Sequence, residues 1–399
     1  MRSSLSLLAR PAVRALAVSQ IREVANAGMG DPAILPFWFG EPDEVTPAFI
    51  RDAAIAALDR GETFYTQNHG LPELRAAIAT YLTQRHRATA PDAITVTASG
   101  MSALMLCMQA LVDPGDRVAV VTPVWPNLTE IPKILGAEVV RVPLASSEHG
   151  WSLDVDRLIA ALTPETRVVL INSPNNPTGW TLDAADQQVI LAHCRRHGIW
   201  IVADDVYERL YYDDADGSNG GAPSFLDLAS ADDRVISTNS FSKSWLMTGF
   251  RLGWIVAPPA MQPELGTLVE YNTSCSPAFV QRAGLVAIRD GEPTVTHVRQ
   301  RFRAARDLLV RELNALPGVQ VAAPPGAMYA FLRIDGMTDS LALCQRLVRD
   351  AKIGLAPGSA FGREGEGFIR WCFAASEARL LDGVSRLAHF LAHERRSAA

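Results

Sequence analysis

The chain has 399 residues and a formal net charge of −6, and is 48% hydrophobic and 20% charged. That balance describes a globular protein whose core needs no disulfide staples, and it gives no electrostatic reason to expect nucleic-acid binding. No apolar run approaches the roughly 18–20 residues of a membrane-spanning helix. Five scattered cysteines (Cys107, Cys194, Cys275, Cys344, Cys372) without a C-x-x-C spacing argue against a disulfide framework or zinc site and point to a reducing cytoplasm.

The N-terminal stretch MRSSLSLLARPAVRALAVSQIR is Arg-rich and has no acid before Glu23. Its composition resembles an organelle transit segment. Arg10 and Pro11 break the apolar run that a secretory signal would need. The preferred expectation is an amphipathic arm that packs on a partner subunit.

The middle of the chain alternates short β-branched runs with helical stretches. The expected strands are AITVTAS (93–99), RVAVVTP (117–123), EVVRVPL (138–144), RVVLINS (167–173), IWIVADD (199–205), RVISTNS (234–240) and GWIVAP (253–258). Several are apolar almost throughout, the pattern of strands buried on both faces of a parallel sheet. Helical patterns lie between them at 101–112 and 182–197, and DDADGSNGGAPS (213–224) is a turn-rich loop. This alternation implies an α/β domain over 48–285 with a mostly parallel seven-stranded sheet covered by helices. Beyond about 290 the texture changes to long helices (294–315, 338–351, 376–395) around PPGAMYAFLRI, IGLAPGSAFG and FIRWCFA. A smaller α+β domain is expected at 286–399, joined by residues 1–47.

Several motifs fall at the ends of the expected strands. In ASGMSAL a strand ends and a helix begins, so free N–H groups await an anion, although plain capping by Ser99 or Ser102 would also account for it. SPNNPTG has two adjacent Asn residues where a turn needs none, so one amide is available to a ligand oxygen. VADDVY ends an apolar strand with two carboxylates, of which only one can face a given crevice. A buried Asp calls for a cationic partner, which a protonated heterocyclic nitrogen would supply. The stretch SFSKSWLMTGFRLGW holds Lys243, one of three lysines among 37 basic residues. Phe241, Trp245, Leu246 and Met247 around it allow a poorly solvated site in which lysine becomes nucleophilic. The glycines flanking Arg251 suggest close backbone approach. Open α/β sheets bind ligands at the C-terminal ends of their strands. Together these parts propose a phosphate cradle, a heterocycle-nitrogen partner and a Schiff-base lysine, the requirements of pyridoxal 5'-phosphate. Metal chemistry is not expected. His193/His197 and His389/His393 are spaced i,i+4, but neither pair has an H-E-x-x-H pattern or a third ligand.

FGEPDEVTP, FYTQNHGLPELR, TASGMSAL, PVWPN, SPNNPTG, DDVYERL, SFSKSWLMTGFRLGW, APGSAFG and FIRWCFA follow one another along residues 20–390. In this order the chain resembles the class I/II aminotransferases of the aspartate aminotransferase superfamily, with pyridoxal-phosphate fold type I. The resemblance implies that Lys243 forms the aldimine with the cofactor and carries the Cα proton. It implies that Asp204 keeps the pyridine nitrogen protonated, and that Tyr207 and Asn176 hydrogen-bond the phenolate oxygen. Trp125 would stack on the ring. Ser99, Gly100 and Met101 (through backbone N–H), Ser240, Ser242 and Arg251 would form the phosphate cup. Tyr65 would reach the phosphate of the neighbouring subunit, making the active unit a homodimer. Arg370, with Gly40 and Asn176 beside it, would hold the substrate α-carboxylate. The chain departs from many relatives in having Leu128 after PVWPN and D-D-V-Y in place of D-E-x-Y. No second arginine is assignable to a substrate side chain. The implied reaction is ping-pong transfer of an amino group from an L-amino acid to a 2-oxo acid. A lyase of the same fold (a C–S β-lyase or an aminocyclopropane-carboxylate-synthase-like enzyme) would use the same residues. With about 40 residues ahead of FGEPD, a DNA-binding domain of the helix-turn-helix kind is not expected.

Overall fold

The computed structural model describes residues 9–213 and 220–398. Residues 1–8 of the Arg-rich stretch and 214–219 of the turn-rich loop lie outside the described residues.

All seven expected strands form, and all seven join one sheet. They are β1 (Ile94–Thr97), β2 (Arg117–Thr122), β3 (Glu138–Pro143), β4 (Thr166–Asn172), β5 (Trp200–Asp204), β6 (Val235–Ser240) and β7 (Gly253–Val256). Their order across the sheet is β1-β7-β6-β5-β4-β2-β3. Every neighbouring pair is parallel except those involving β7, which runs antiparallel to β1 and β6. Side-chain alternation splits each strand between two cores. Val118, Val120, Val168, Leu170 and Val202 pack on one face. Ala119, Val121, Val169, Ile171 and Ile201 pack on the other. Both faces are covered, which is why the strands read as apolar runs rather than as alternating ones. Strand β3 lies at the sheet edge and is the least buried of the seven.

Because six strands share a direction, Thr97, Thr122, Asn172, Asp204 and Ser240 end along one side of the sheet, and antiparallel β7 begins there at Gly253. Helix α1 (Gly100–Leu111) starts at the same side, with only Ala98 and Ser99 between it and β1.

The C-terminal part has a four-stranded antiparallel sheet of β8 (Val319–Gln320), β9 (Tyr329–Ile334), β10 (Ala356–Pro357) and β11 (Phe368–Cys372), in the order β8-β9-β11-β10. Helices α2 (Glu292–Asn314) and α3 (Glu377–Ala398) contribute to its core, and so do Val24, Ala25, Ile34, Phe37 and Trp38 from the N-terminal segment. Leu35–Pro36 pairs with Ile353–Gly354. The helix expected over 338–351 is α-helical only at Ser340–Arg346 and continues as a π turn over Leu347–Ala351. The N-terminal arm lies along Asn127–Leu135 of its own chain, where Arg10 Nη2 donates to the Ile134 carbonyl at 2.8 Å. No helix among the described residues is long and apolar enough to cross a membrane.

Candidate active site

A cavity of about 740 Å³ opens where these strand ends meet the N-terminal segment and β9–β11. Gly40, Gly100, Met101, Trp125, Asn176 and Asp204 line it, as do Tyr207, Ser240, Ser242, Lys243, Arg251 and Arg370. Two sequence-predicted residues do not. Ser99 uses its hydroxyl to cap α1, accepting from the Ser102 N–H at 3.0 Å. Tyr65 is 88% exposed on the outer surface.

The anion cradle follows from local backbone geometry. Ser99 is held at φ +129°, a conformation that costs an L-residue about 1–3 kcal/mol and turns the chain sharply from strand into helix. The first i→i−4 bond of the helix is made by Ala103 N–H to the Ser99 carbonyl, so the Gly100 and Met101 N–H groups precede the helical ladder. Ser240 Oγ lies 2.9 Å from Ser242 Oγ, and Arg251 Nη1 approaches the same Ser242 oxygen at 3.5 Å. Two N–H groups at a helix start, two hydroxyls and a guanidinium therefore share one corner, and that donor set suits a phosphate. Of the glycines beside Arg251, only Gly253 is forced by close approach. A Cβ there would sit 2.6 Å from both the Asn239 carbonyl oxygen and the Gly100 nitrogen, whereas a Cβ on Gly249 would meet nothing within 4 Å.

Lys243 is partly buried, and its Nζ donates to the Gly40 carbonyl at 2.6 Å. Burial, with Arg370 and Arg251 nearby, lowers its pKa to about 8, so a larger share of the amine is neutral than in water.

Asp204 and Asp205 point to opposite sides of the strand end. Asp205 accepts from Ser237 Oγ at 2.6 Å, away from the cavity. Asp204 lines the cavity, where the Val206 N–H and an asparagine amide face it and Lys243 is the nearby positive charge, but no cation among the described residues pairs with it. Asn172 Oδ1 accepts the Asn176 backbone N–H at 2.8 Å, which fixes the amide orientation. Its Nδ2 then donates to Asp204 Oδ2 at 3.2 Å. No ion pair reaches Asp204 among the described residues, and burial lifts its pKa to about 7. A buried carboxylate short of a cation, beside a phosphate cradle and a poorly solvated lysine, matches the donor set of pyridoxal phosphate.

Arg370 is buried and is held by four groups, one of them the Phe361 ring at 4.9 Å. Its Nη1 donates to Asn176 Oδ1 at 3.0 Å, its Nη2 donates to the Trp38 carbonyl, and its guanidinium lies 4.4 Å above the Tyr329 ring. With Oδ1 occupied by Arg370, the Asn176 amide has its Nδ2 donor left for the cavity. Sequence reasoning missed Asn172 and Tyr329. Asn172 is the one polar residue closing the apolar run RVVLIN, which was a usable signal. Tyr329 sits in the apolar strand YAFLRI, where it reads as core.

Residues 35–387 match the family described as aminotransferase class I and II. An aspartate aminotransferase of Pyrococcus horikoshii is 34% identical over 381 residues, covering 94% of this chain and 95% of that one. A probable aspartate/prephenate aminotransferase of Aquifex aeolicus is 35% identical over 365 residues, covering 89% and 90%. Among solved structures, an aromatic aminotransferase from Pyrococcus horikoshii superposes with a TM-score of 0.84 at 32% identity, covering 94% of this chain and 99% of that one. The chain belongs to the class I and II aminotransferases. It has their fold type I architecture and is a pyridoxal-phosphate-dependent aminotransferase; the lyase alternative is not favoured.

Proposed function

We propose that Lys243 is the cofactor-bearing lysine and general base of an aminotransferase acting on an L-amino acid and a 2-oxo acid. The observation that carries this reading is the convergence of Lys243, Asp204, Asn176, Arg370 and the phosphate cradle on one cavity. When bound, the cofactor supplies an aldehyde for the amino group and a ring that draws electrons from the substrate Cα. The protein supplies the rest. Gly100, Met101, Ser240, Ser242 and Arg251 hold the phosphate, and Trp125 covers the ring. Asp204, steadied by Asn172, keeps a proton on the ring nitrogen. Asn176 and Tyr207 donate toward the ring oxygen. Arg370 takes the substrate carboxylate in a bidentate grip. That grip orients the Cα proton toward Lys243 Nζ, whose lowered pKa suits proton transfer near neutral pH.

A homodimer fits the exposed apolar surface around Tyr65. Phe64, Tyr65 and Tyr271 are 82%, 88% and 87% exposed, large apolar groups of the kind a partner subunit covers. A cytoplasmic setting is supported by five cysteines that all remain free thiols.

Aspartate and aromatic amino acids head the test panel, because the relatives named above act on them by name. Each L-amino acid is offered with pyruvate or 2-oxoglutarate while the cofactor spectrum is followed. At least one donor is expected to convert the spectrum, with an oxo-acid acceptor restoring it. Pyruvate and ammonia released from a single amino acid without any acceptor would refute the reading.

A further inference from the structure

Tyr329 carries contacts that no role above uses. It is 1% exposed, on β9, and its hydroxyl lies 2.6 Å from the Tyr207 hydroxyl. Its ring meets the Tyr207 ring edge-on at 5.6 Å between centroids, and its face carries the Arg370 guanidinium at 4.4 Å. A Cβ on Gly40 would fall on the Tyr329 hydroxyl. Gly40 therefore has no side chain because that hydroxyl occupies the space, and the carbonyl of this same Gly40 accepts from Lys243. One ring thus touches the holder of the substrate carboxylate, the donor to the cofactor oxygen and the backbone under the lysine.

We propose that Tyr329 is a positioning residue that donates its hydroxyl proton to Tyr207, so that the Tyr207 proton points to the cofactor oxygen, while its ring face sets the plane of Arg370. This rests on the assignment of Tyr207 and Arg370 made above.

The direction of the hydrogen bond follows from the surroundings. Between two phenols, the more acidic one donates. Tyr329 faces Arg370, Cys372 and Tyr207, and Tyr207 faces Tyr329, Arg370, Asp204 and Lys243. Burial raises both, but the Arg370 guanidinium lies 4.4 Å over the Tyr329 ring, closer than Lys243 lies to the Tyr207 ring at 5.9 Å, and the nearer cation makes Tyr329 the more acidic phenol. Tyr329 is therefore the donor. A hydroxyl that accepts one hydrogen bond donates a stronger one in turn. The Tyr207 bond to the cofactor oxygen is strengthened, and the oxygen is held as an anion more firmly than Tyr207 alone would hold it.

Tyr329→Phe removes the hydroxyl and keeps the ring. With holoenzyme, the visible absorbance of the Lys243–cofactor linkage is titrated with pH, and cofactor dissociation is measured by equilibrium dialysis. The linkage pKa is expected to rise by about half to one unit, since weaker stabilisation of the anionic oxygen strengthens its hold on the proton. Cofactor Kd should rise several-fold, and KM for the amino donor should stay within about twofold. In a Tyr207→Phe background, Tyr329→Phe should add no further shift, because it acts through Tyr207. Tyr329→Leu, which also removes the ring, should raise KM about fivefold through loss of the contact with Arg370. An unchanged titration in Tyr329→Phe, or an added shift in the double variant, overturns the relay. An equal KM rise in the Phe and Leu variants overturns the role of the ring. If the wild-type protein shows no titrating linkage at all, it is the Lys243 assignment that fails.

Discussion

Asp204 and Asp205 are adjacent, equally buried at 5% exposure, and both pushed up to about 7, chiefly by burial. They differ in what faces them. Behind Asp205 the protein builds its own compensation. Ser237 and Ser224 donate to it, and the positive charge of His86 offsets the repulsion from Glu208, which His86 reaches at 3.3 Å as it reaches Asp227 at 2.7 Å. In front of Asp204 there are an asparagine amide, the Val206 N–H and then the cavity with Lys243, and no side chain among the described residues that pairs with its charge. A buried charge whose partner lies within the fold serves the fold. One whose partner is missing from the fold is waiting for a ligand.

The largest test of this contrast lies at Lys243. Lys243→Ala should abolish the covalent cofactor absorbance and lower transamination by more than about 10⁴-fold, the upper range for losing a general base. Retention of both would remove the reason to regard the cavity as the active site. The carboxylates come next. Asp204→Asn should keep the cofactor bound but slow Cα proton removal by about 10²–10³-fold, the size of effect seen when an oriented electrostatic group is lost. Asp205→Asn should cost less than about tenfold, or about 1.4 kcal/mol of barrier. Single-turnover kinetics separates the two. If Asp205→Asn proved the more damaging, the distinction between the two sides of the strand would collapse.

How much of this the sequence held depends on the scale of the interaction. Each of the seven strands was legible, because β-branched residues recur in all of them and the central ones, covered on both faces, run apolar almost throughout. Lys243, Asp204 and Asn176 were legible as polar residues placed at or just beyond the ends of those runs, whereas Arg370, inside β11, was reached only through the family resemblance. Asn172 left a signal as the polar residue closing an apolar run, but Tyr329 left none, because its importance lies in contacts between residues far apart in the chain. Tyr329 meets Tyr207 across 122 positions, and neither residue type nor local spacing signals it. The role of Gly253 was legible and that of Gly249 was misread, since flanking position alone does not show which backbone approaches. Ser99 was expected in the phosphate cup, yet its hydroxyl caps the helix, and the anion-facing groups are the backbone N–H groups after it.

The smallest effect on activity, and the sharpest on stability, belongs to His86. Burial alone would lower its pKa, but hydrogen bonds to Asp227 and Glu208 outweigh that and raise it to about 10. Its side chain is 5% exposed, so the pair is largely shielded from solvent. A base with a raised pKa contributes stability fully below the unfolded value, near 6.5, and loses it as pH climbs through the folded value, near 10. His86→Gln should therefore lower stability at pH 6 by about 3 kcal/mol, as expected when one partner of a buried pair is removed. The gap from wild type should narrow steadily between pH 6.5 and 10 in thermal or urea melts. Turnover at permissive temperature should remain within a few-fold, because the cation balances Glu208 and Asp227 and touches nothing in the cavity. A stability gap that does not depend on pH would mean that His86 is packed there as a neutral ring. A collapse of turnover with the fold intact would mean that the compensated side of the strand is coupled to the chemistry after all.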